Sequence, residues 1–473
     1  TRQVYFFSSA AQTPTTAGFI SVRYIDGSNK QDAPNTVIVN GQTVSAISKG
    51  YWEVNSTVTF PNAFGMGINS YGMFNATNPS LLRPVVGADG TPTSISAPAG
   101  TWTGSGNFPS YNVVSTVSLS NADKNNKIYF LGSAEENLGN SFLANAVSGN
   151  YSDPATWLPN GIPDASAGVV IPNGTSVTLN GNYSADFLDV QAGGTLVMGA
   201  NKLTLGNSVL HTLAGTISTT SDSLIGGTGG AFPNRLLSEF TVASGSTIIY
   251  AGNSTQRISA LTYSNLQSTG SGQRVFANGQ TITISGTFTP GNNTYVTTGS
   301  TVVYNASGTA TIAPCNYHNL TRSGISSTVF GTTGANGNII GVSGVLNLGA
   351  GALTSTNSTL EFNGAGSQTI PARTYNNLVV SQNRNNGNIT LPASGTVAIT
   401  GSFTNTATNV NFITTNSTFD YAGTGSQVIA PFGYNNLTNT GNGARTLSST
   451  GTIRIGGTWS RGTGTYTLGT STV

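Results

Sequence analysis

From residue 245 onward the apolar positions fall into short alternating runs that recur in a fixed order. Ser246-Thr247-Ile248-Ile249-Tyr250 returns as Ser300-Thr301-Val302-Val303-Tyr304, Ser358-Thr359-Leu360-Glu361-Phe362 and Ser417-Thr418-Phe419-Asp420-Tyr421. A second run returns as Tyr263-Ser264-Asn265-Leu266, Tyr317-His318-Asn319-Leu320, Tyr375-Asn376-Asn377-Leu378 and Tyr434-Asn435-Asn436-Leu437. Successive copies begin 54, 58 and 59 residues apart. A fixed period of this size marks a repeat architecture whose units bury their apolar faces against one another. Positions 248, 302, 360 and 419 are aliphatic or aromatic, and 250, 304, 362 and 421 are all aromatic. The position between them accepts Glu361 and Asp420. Strand alternation therefore turns the first two sets inward and the third toward solvent. The unvarying Asn265, Asn319, Asn377 and Asn436 read as corner residues in a left-handed conformation.

The pattern differs earlier in the chain. Residues 1–133 carry seven strand-sized runs (Val4–Phe7, Phe19–Ile25, Thr36–Val39, Tyr51–Phe60, Leu81–Val86, Asn112–Leu119, Lys127–Leu131) separated by turn formers. They predict a β-sandwich with Trp52 and Trp102 in its core. Residues 134–148, with Glu135 and Glu136, read as a connector. Short apolar runs broken by Gly or Asn then mark 149–244 as the opening segment of a solenoid, with Trp157 covering its first coil. Residues 245–473 hold four repeats and the start of a fifth. The expected fold is all-β: a β-sandwich followed by a right-handed parallel β-helix. Coils of about 18–20 residues make one repeat about three coils and set the Tyr-x-Asn-Leu motifs along one edge, about 14 Å apart.

Composition changes this picture little. The 473 residues include 61 Gly, 17 Tyr and 20 Phe, with only 7% charged; the aromatic load argues for packed strands rather than disorder. Charge is uneven. Residues 1–244 hold 9 basic and 13 acidic groups, whereas 245–473 hold eight arginines, no lysine and only Glu361 and Asp420. No basic cluster points to nucleic acid, and no apolar run is long enough to span a bilayer. Cys315 is the single cysteine, so no internal disulfide forms. The chain starts at Thr1 without a leader, and Ser471-Thr472-Val473 matches the opening of another repeat, so a piece of a longer chain is expected.

Candidate chemistry is sparse. Glycoside hydrolysis needs two carboxyl groups roughly 5–10 Å apart, and Glu361 and Asp420 stand a repeat apart. Asp153, Asp164, Asp186, Asp189 and Asp222 mostly flank turns, and the two acids of Asp186-Phe187-Leu188-Asp189 fall on opposite strand faces. His211 and His318 have no spacing partners for a metal or a dyad. Neither catalysis nor a cofactor or metal is expected. Sequons at Asn292, Asn305 and Asn388 are products of composition, and Thr281-Ile282-Thr283 resembles the flat Thr arrays of ice-binding solenoids but does not recur in every coil.

The stretch Gly149-Asn150-Tyr151-Ser152-Asp153-Pro154-Ala155-Thr156-Trp157 and the Ser-Thr-Val-x-Tyr … Gln-Thr-Ile … Tyr-Asn-Asn-Leu units resemble modules of the very large repetitive cell-surface proteins of Bacteroidota. That family includes adhesins of gliding bacteria exported by type IX secretion. The resemblance covers residues 148–473, and 1–133 are similar to the sandwich modules that precede such segments. It implies an extracellular, cell-surface location, the type IX export machinery as a partner, and a structural or adhesive role toward surface glycans or other surface proteins. Carbohydrate binding or a degenerate polysaccharide-degrading β-helix is the alternative. Asp222-Ser223-Leu224 resembles the O-glycosylation motif of Bacteroidota secreted proteins, with Ser223 as acceptor.

Overall fold

A computed structural model describes residues 3–16, 18–25, 30–48, 50–71, 79–88, 92–107, 110–133, 141–158, 160–165, 167–206, 211–470 and 472–473. The fold is all-β, 3% helical, with antiparallel sheets followed by a parallel β-solenoid of about 14 turns. The chain forms two compact units, Thr1–Leu213 and Ala214–Val473.

In the first unit, one antiparallel sheet runs in the order Gln3–Phe7, Gly65–Tyr71, Ser110–Ser115, Trp102–Asn107. A second runs Ile20–Ile25, Tyr51–Ser56, Lys127–Ser133, Gln42–Ser48, Lys30–Val39, with Arg83–Gly87 also on Lys127–Ser133. Their facing side chains make one core that includes Trp52, Met66, Ile68, Trp102, Tyr129 and Leu131. Residues 134–140, with Glu135 and Glu136, lie outside the described residues. Parallel pairing begins at Ser141–Ala144, which stacks under Gly168–Ile171 and Leu188–Val190. The outer edge of Ser141–Ala144 is closed by Trp157–Leu158, paired antiparallel. Trp157 is buried, its Nε1–H donates to the Tyr151 carbonyl at 2.9 Å, and the Tyr151 ring stacks on Tyr183 at 4.3 Å. An edge that would present unpaired backbone groups is thereby covered.

In the second unit a simple rule governs pairing from Thr247–Tyr250 onward: within each sheet, every strand hydrogen-bonds the strand three places later in the chain. Before it, the extra strand Gly230–Phe232 makes the step four, from Thr216–Thr219 to Thr247–Tyr250. Thr247–Tyr250 carries Asn265–Ser268, Gln256–Ile258 carries Arg274–Phe276, and Thr262–Tyr263 carries Thr281–Ile284. Each turn therefore has three sides. The opening strands Thr247–Tyr250, Thr301–Tyr304, Thr359–Phe362 and Thr418–Tyr421, however, follow one another every eight strands. Eight strands make two and two-thirds turns, so the copies do not share an edge. The second opening strand extends the sheet of Thr262–Tyr263 and Thr281–Ile284, the third that of Asn316–Tyr317 and Ile339–Val342, the fourth that of Thr374–Tyr375 and Thr396–Ile399. The expectation of three coils per repeat with motifs aligned along one edge is thus corrected. The motif steps round by one side per copy and completes the circuit at Ser417, 171 residues after Ser246.

Coil length explains the uneven period. The coil from opening strand to Asn-Leu strand is 18 residues in all four copies, as in Thr247↔Asn265 and Thr418↔Asn436. The following coil varies, from 22 residues at Leu266↔Phe288 to 26 at Leu320↔Leu346. Each opening strand is entered through a residue with positive φ, Gly245 (86°), Gly299 (74°), Asn357 (58°) or Asn416 (57°). The next serine Oγ–H then donates to a carbonyl three residues back, at 2.6–2.7 Å.

Candidate functional site

The recurring motif residues turn inward or bind the backbone of the coil above. Tyr263, Tyr317, Tyr375, Tyr434, Leu266, Leu320, Leu378 and Leu437 are all at most 3% exposed. In three copies the motif tyrosine meets the opening-strand tyrosine hydroxyl to hydroxyl: Tyr250–Tyr263 at 3.0 Å, Tyr304–Tyr317 and Tyr421–Tyr434 at 2.9 Å. The Ser259, Ala313 or Ala430 N–H donates to the first tyrosine, and the second donates back to that same residue's carbonyl. The third copy has Phe362 in place of the first tyrosine and Pro371 in place of the N–H donor, while Tyr375 still donates to the Pro371 carbonyl at 2.8 Å. Donor and acceptor disappear together, so neither is stranded. Burial pushes these hydroxyls above their ordinary pKa, that of Tyr421 up to about 12.

Asn265, Asn319, Asn377 and Asn436 are not left-handed corners; they begin strands, and the left-handed residues are those before the opening serines. Each Oδ1 accepts the backbone N–H of the coil above, from Thr287, Val345, Ser402 or Thr458, at 2.9–3.1 Å. The residue before each donor is glycine (Gly286, Gly344, Gly401, Gly457), where a Cβ would lie 2.4–2.8 Å from that same Oδ1. Asn and Gly form one unit across coils.

Buried polar side chains hold the coils elsewhere. Gln256, Gln368 and Gln427 each accept an N–H with Oε1 and donate Nε2–H to two carbonyls of the coil below. Every repeat also has an arginine at most 1% exposed: Arg274, Arg322, Arg384 and Arg445. Their guanidinium groups donate to backbone carbonyls, Arg445 to those of Tyr421, Gly423, Gly425, Gly441 and Ala444. Four of the eight arginines that gave 245–473 its positive balance are therefore sequestered from any anionic ligand. Sequence reasoning missed this; the cue was that every repeat carries at least one arginine while the four together hold only two acids.

The acids do not converge. Glu361 and Asp420 lie in different sheets. Glu361 is half-buried and accepts Ser381 Oγ–H at 2.7 Å. Asp420 is 5% exposed rather than solvent-facing, because Thr440 folds over it and donates both its N–H (2.9 Å) and its Oγ–H (2.6 Å). Asp189, whose carboxyl burial pushes up, accepts from Gln191 at 3.2 Å. His211 is buried, His318 contacts Ser343 Oγ at 3.1 Å, and the buried Cys315 thiol is pushed up in pKa by desolvation. Among the described residues, no group of three or more His, Cys, Asp or Glu side chains could hold a metal ion.

The most site-like feature is a cleft of about 500 Å³ lined by Asp222, Ser223, Arg235, Leu236, Leu237 and Arg257 among others. It exists because residues 226–239 form an excursion that adds an extra strand, Gly230–Phe232, beside Ser223–Ile225 and makes the Thr216↔Thr247 turn 31 residues long. The excursion is fixed by Gly226 N–H to the Phe232 carbonyl (3.1 Å), Leu236 N–H to Glu239 Oε2 (2.7 Å) and an Arg235–Glu239 ion pair (3.5 Å). Ser223 is half-buried there, its Oγ 3.4 Å from the carbonyls of Ile225 and Gly226. Asp222 and Arg257 are exposed and, among the described residues, their side chains neither bridge each other nor bond any other group. No protein-family model, no curated protein sequence and no solved structure matches the chain.

Proposed function

We propose that this chain is a non-catalytic structural and adhesive rod, a segment of an extracellular surface filament or adhesin. The observation that carries the reading is the use made of the recurring residues. Asparagines and buried arginines present in every repeat, and glutamines in three of the four, bind one coil to the next, while the tyrosine pairs brace each turn from within. A chain that repeats its cohesive residues and varies its outward ones is suited to spanning distance and presenting a surface. Surface location, surface glycans or surface proteins as partners, and export by type IX secretion rest on the resemblance of residues 148–473. Incubation with plant, algal and bacterial polysaccharides should yield no new reducing ends and no unsaturated products. Turnover abolished by Asp189→Asn or Asp222→Asn would overturn the non-catalytic reading. An antibody against the chain should label intact source cells, and labelling only after lysis would overturn the surface assignment.

A further inference from the structure

We infer that the cleft beside the 226–239 excursion is a binding site for an acidic saccharide, one bearing a uronate-type carboxylate. The inference does not depend on the rod reading. Three neighbouring features set the ligand's chemistry. Arg257 points outward from the strand Gln256–Ile258, between the buried Gln256 and Ile258, and carries a guanidinium with no partner of its own among the described residues. Such a planar fork matches a carboxylate in bidentate fashion. Asp222 is also unpartnered, and an ionised carboxylate can only accept, so it calls for hydroxyl donors on the same ligand. Leu236, 66% exposed, and Leu237, 37% exposed, supply an apolar wall suited to the C–H face of a sugar ring.

A uronate residue offers all three at once: a carboxylate, vicinal hydroxyls and a flat aliphatic face. A neutral sugar leaves Arg257 unmatched. An acidic peptide can match Arg257 but offers neither vicinal hydroxyls for Asp222 nor a flat aliphatic ring face for Leu236 and Leu237. The excursion places one buried strand, Gly230–Phe232, beside Ser223–Ile225 and carries Leu236 and Leu237 on the segment that follows it; loops held on a rigid scaffold are where binding residues concentrate. A volume of about 500 Å³ lies within the range of ligand clefts.

The test is calorimetric titration of the whole chain with oligogalacturonate, a neutral galactose oligomer and oligoglutamate. Wild type is compared with Arg257→Ala and Asp222→Ala, both exposed positions whose folding is checked by circular dichroism. Oligogalacturonate should bind, more weakly as salt is added. Arg257→Ala should lower its affinity at least about tenfold, the loss of one charge-assisted pair, and Asp222→Ala should lower it by a smaller factor. Binding unaffected by Arg257→Ala, absence of oligogalacturonate binding, or equal affinity for the neutral oligomer would each overturn the proposal. Oligoglutamate binding as tightly would replace the saccharide with an acidic peptide.

Discussion

Each tyrosine pair closes a ring of hydrogen bonds through a single residue, whose N–H and carbonyl are both satisfied by hydroxyls. That geometry makes the Phe362/Pro371 copy informative. Tyr421→Phe should cost about 1–3 kcal/mol, because the Ala430 N–H is buried without an acceptor. Adding Ala430→Pro should recover most of it, since the third copy already carries Pro at this backbone position. Denaturant midpoints of the two single variants and the double variant check this, and simple additivity would contradict it. The same pairs set an alkaline limit. These hydroxyls are raised above their ordinary value of 10.0 by burial, so between that value and the folded one the native state holds more protons than the unfolded state. Stability is therefore fully present below pH 10 and declines as pH rises through the folded values, with about 12 for Tyr421. Tyrosinate absorbance should rise together with loss of the strand signal in circular dichroism; ionisation well before unfolding would contradict the coupling. That these tyrosines face inward was legible from their alternation with polar residues. What the motif asparagine does was not, because its partner lies 22–26 residues away and only stacking brings it near.

At the scale of the element, the Asn–Gly unit couples neighbouring coils. Gly401→Ala should destabilise by about 1–3 kcal/mol, since its Cβ would stand 2.4 Å from Asn377 Oδ1. Asn377→Ala alone should cost about 1 kcal/mol, chiefly for the two hydrogen bonds lost to Ser402 in the coil above. In the double variant the closest contact is gone and only the 3.0 Å approaches to Asn376 remain, so its loss should fall short of the sum, and a double-mutant cycle measures the difference. In the antiparallel unit, the runs around Tyr51–Ser56 and Lys127–Ser133 were readable as strands, but Gly65–Tyr71 was not. Its Gly65 and Gly67 pair with Phe7 and Tyr5, whose rings cover the space where a Cβ would sit. A strand that borrows its apolar surface from the neighbouring strand has no alternation of its own to read. Gln42–Ser48 was also missed, although Asn40 and Gly41, with φ of 49° and 77°, form the tight connection that sets its pairing with Lys30–Val39.

For the molecule as a whole, the period was visible in the sequence but the number of turns within it was not. Lengths of 54–59 residues divide equally well into three coils of 18–20, and only strand pairing reveals the two and two-thirds. Sequence equivalence, rather than the turn, is then the unit that can be removed cleanly. Excising residues 358–416, one complete copy, should leave a cooperative melt, because Ser417 meets the same neighbours that Ser358 had. Excising 396–416, one turn of three strands, keeps every side in line but deprives Asn377 of Ser402 and Gly401. It should lower the melting temperature more than the longer deletion does; the reverse order in thermal scans would contradict the equivalence of the copies.

Eight and three share no common factor, and this gives copy number an angular meaning as well as a linear one. One added copy lengthens the array and also re-aims whatever follows it by a third of a revolution. Two copies re-aim it by two-thirds, and three restore the original heading. Duplication or loss of a copy would thus act on such an array as the click of a three-position dial, changing which way a distal binding face looks without altering any contact inside it.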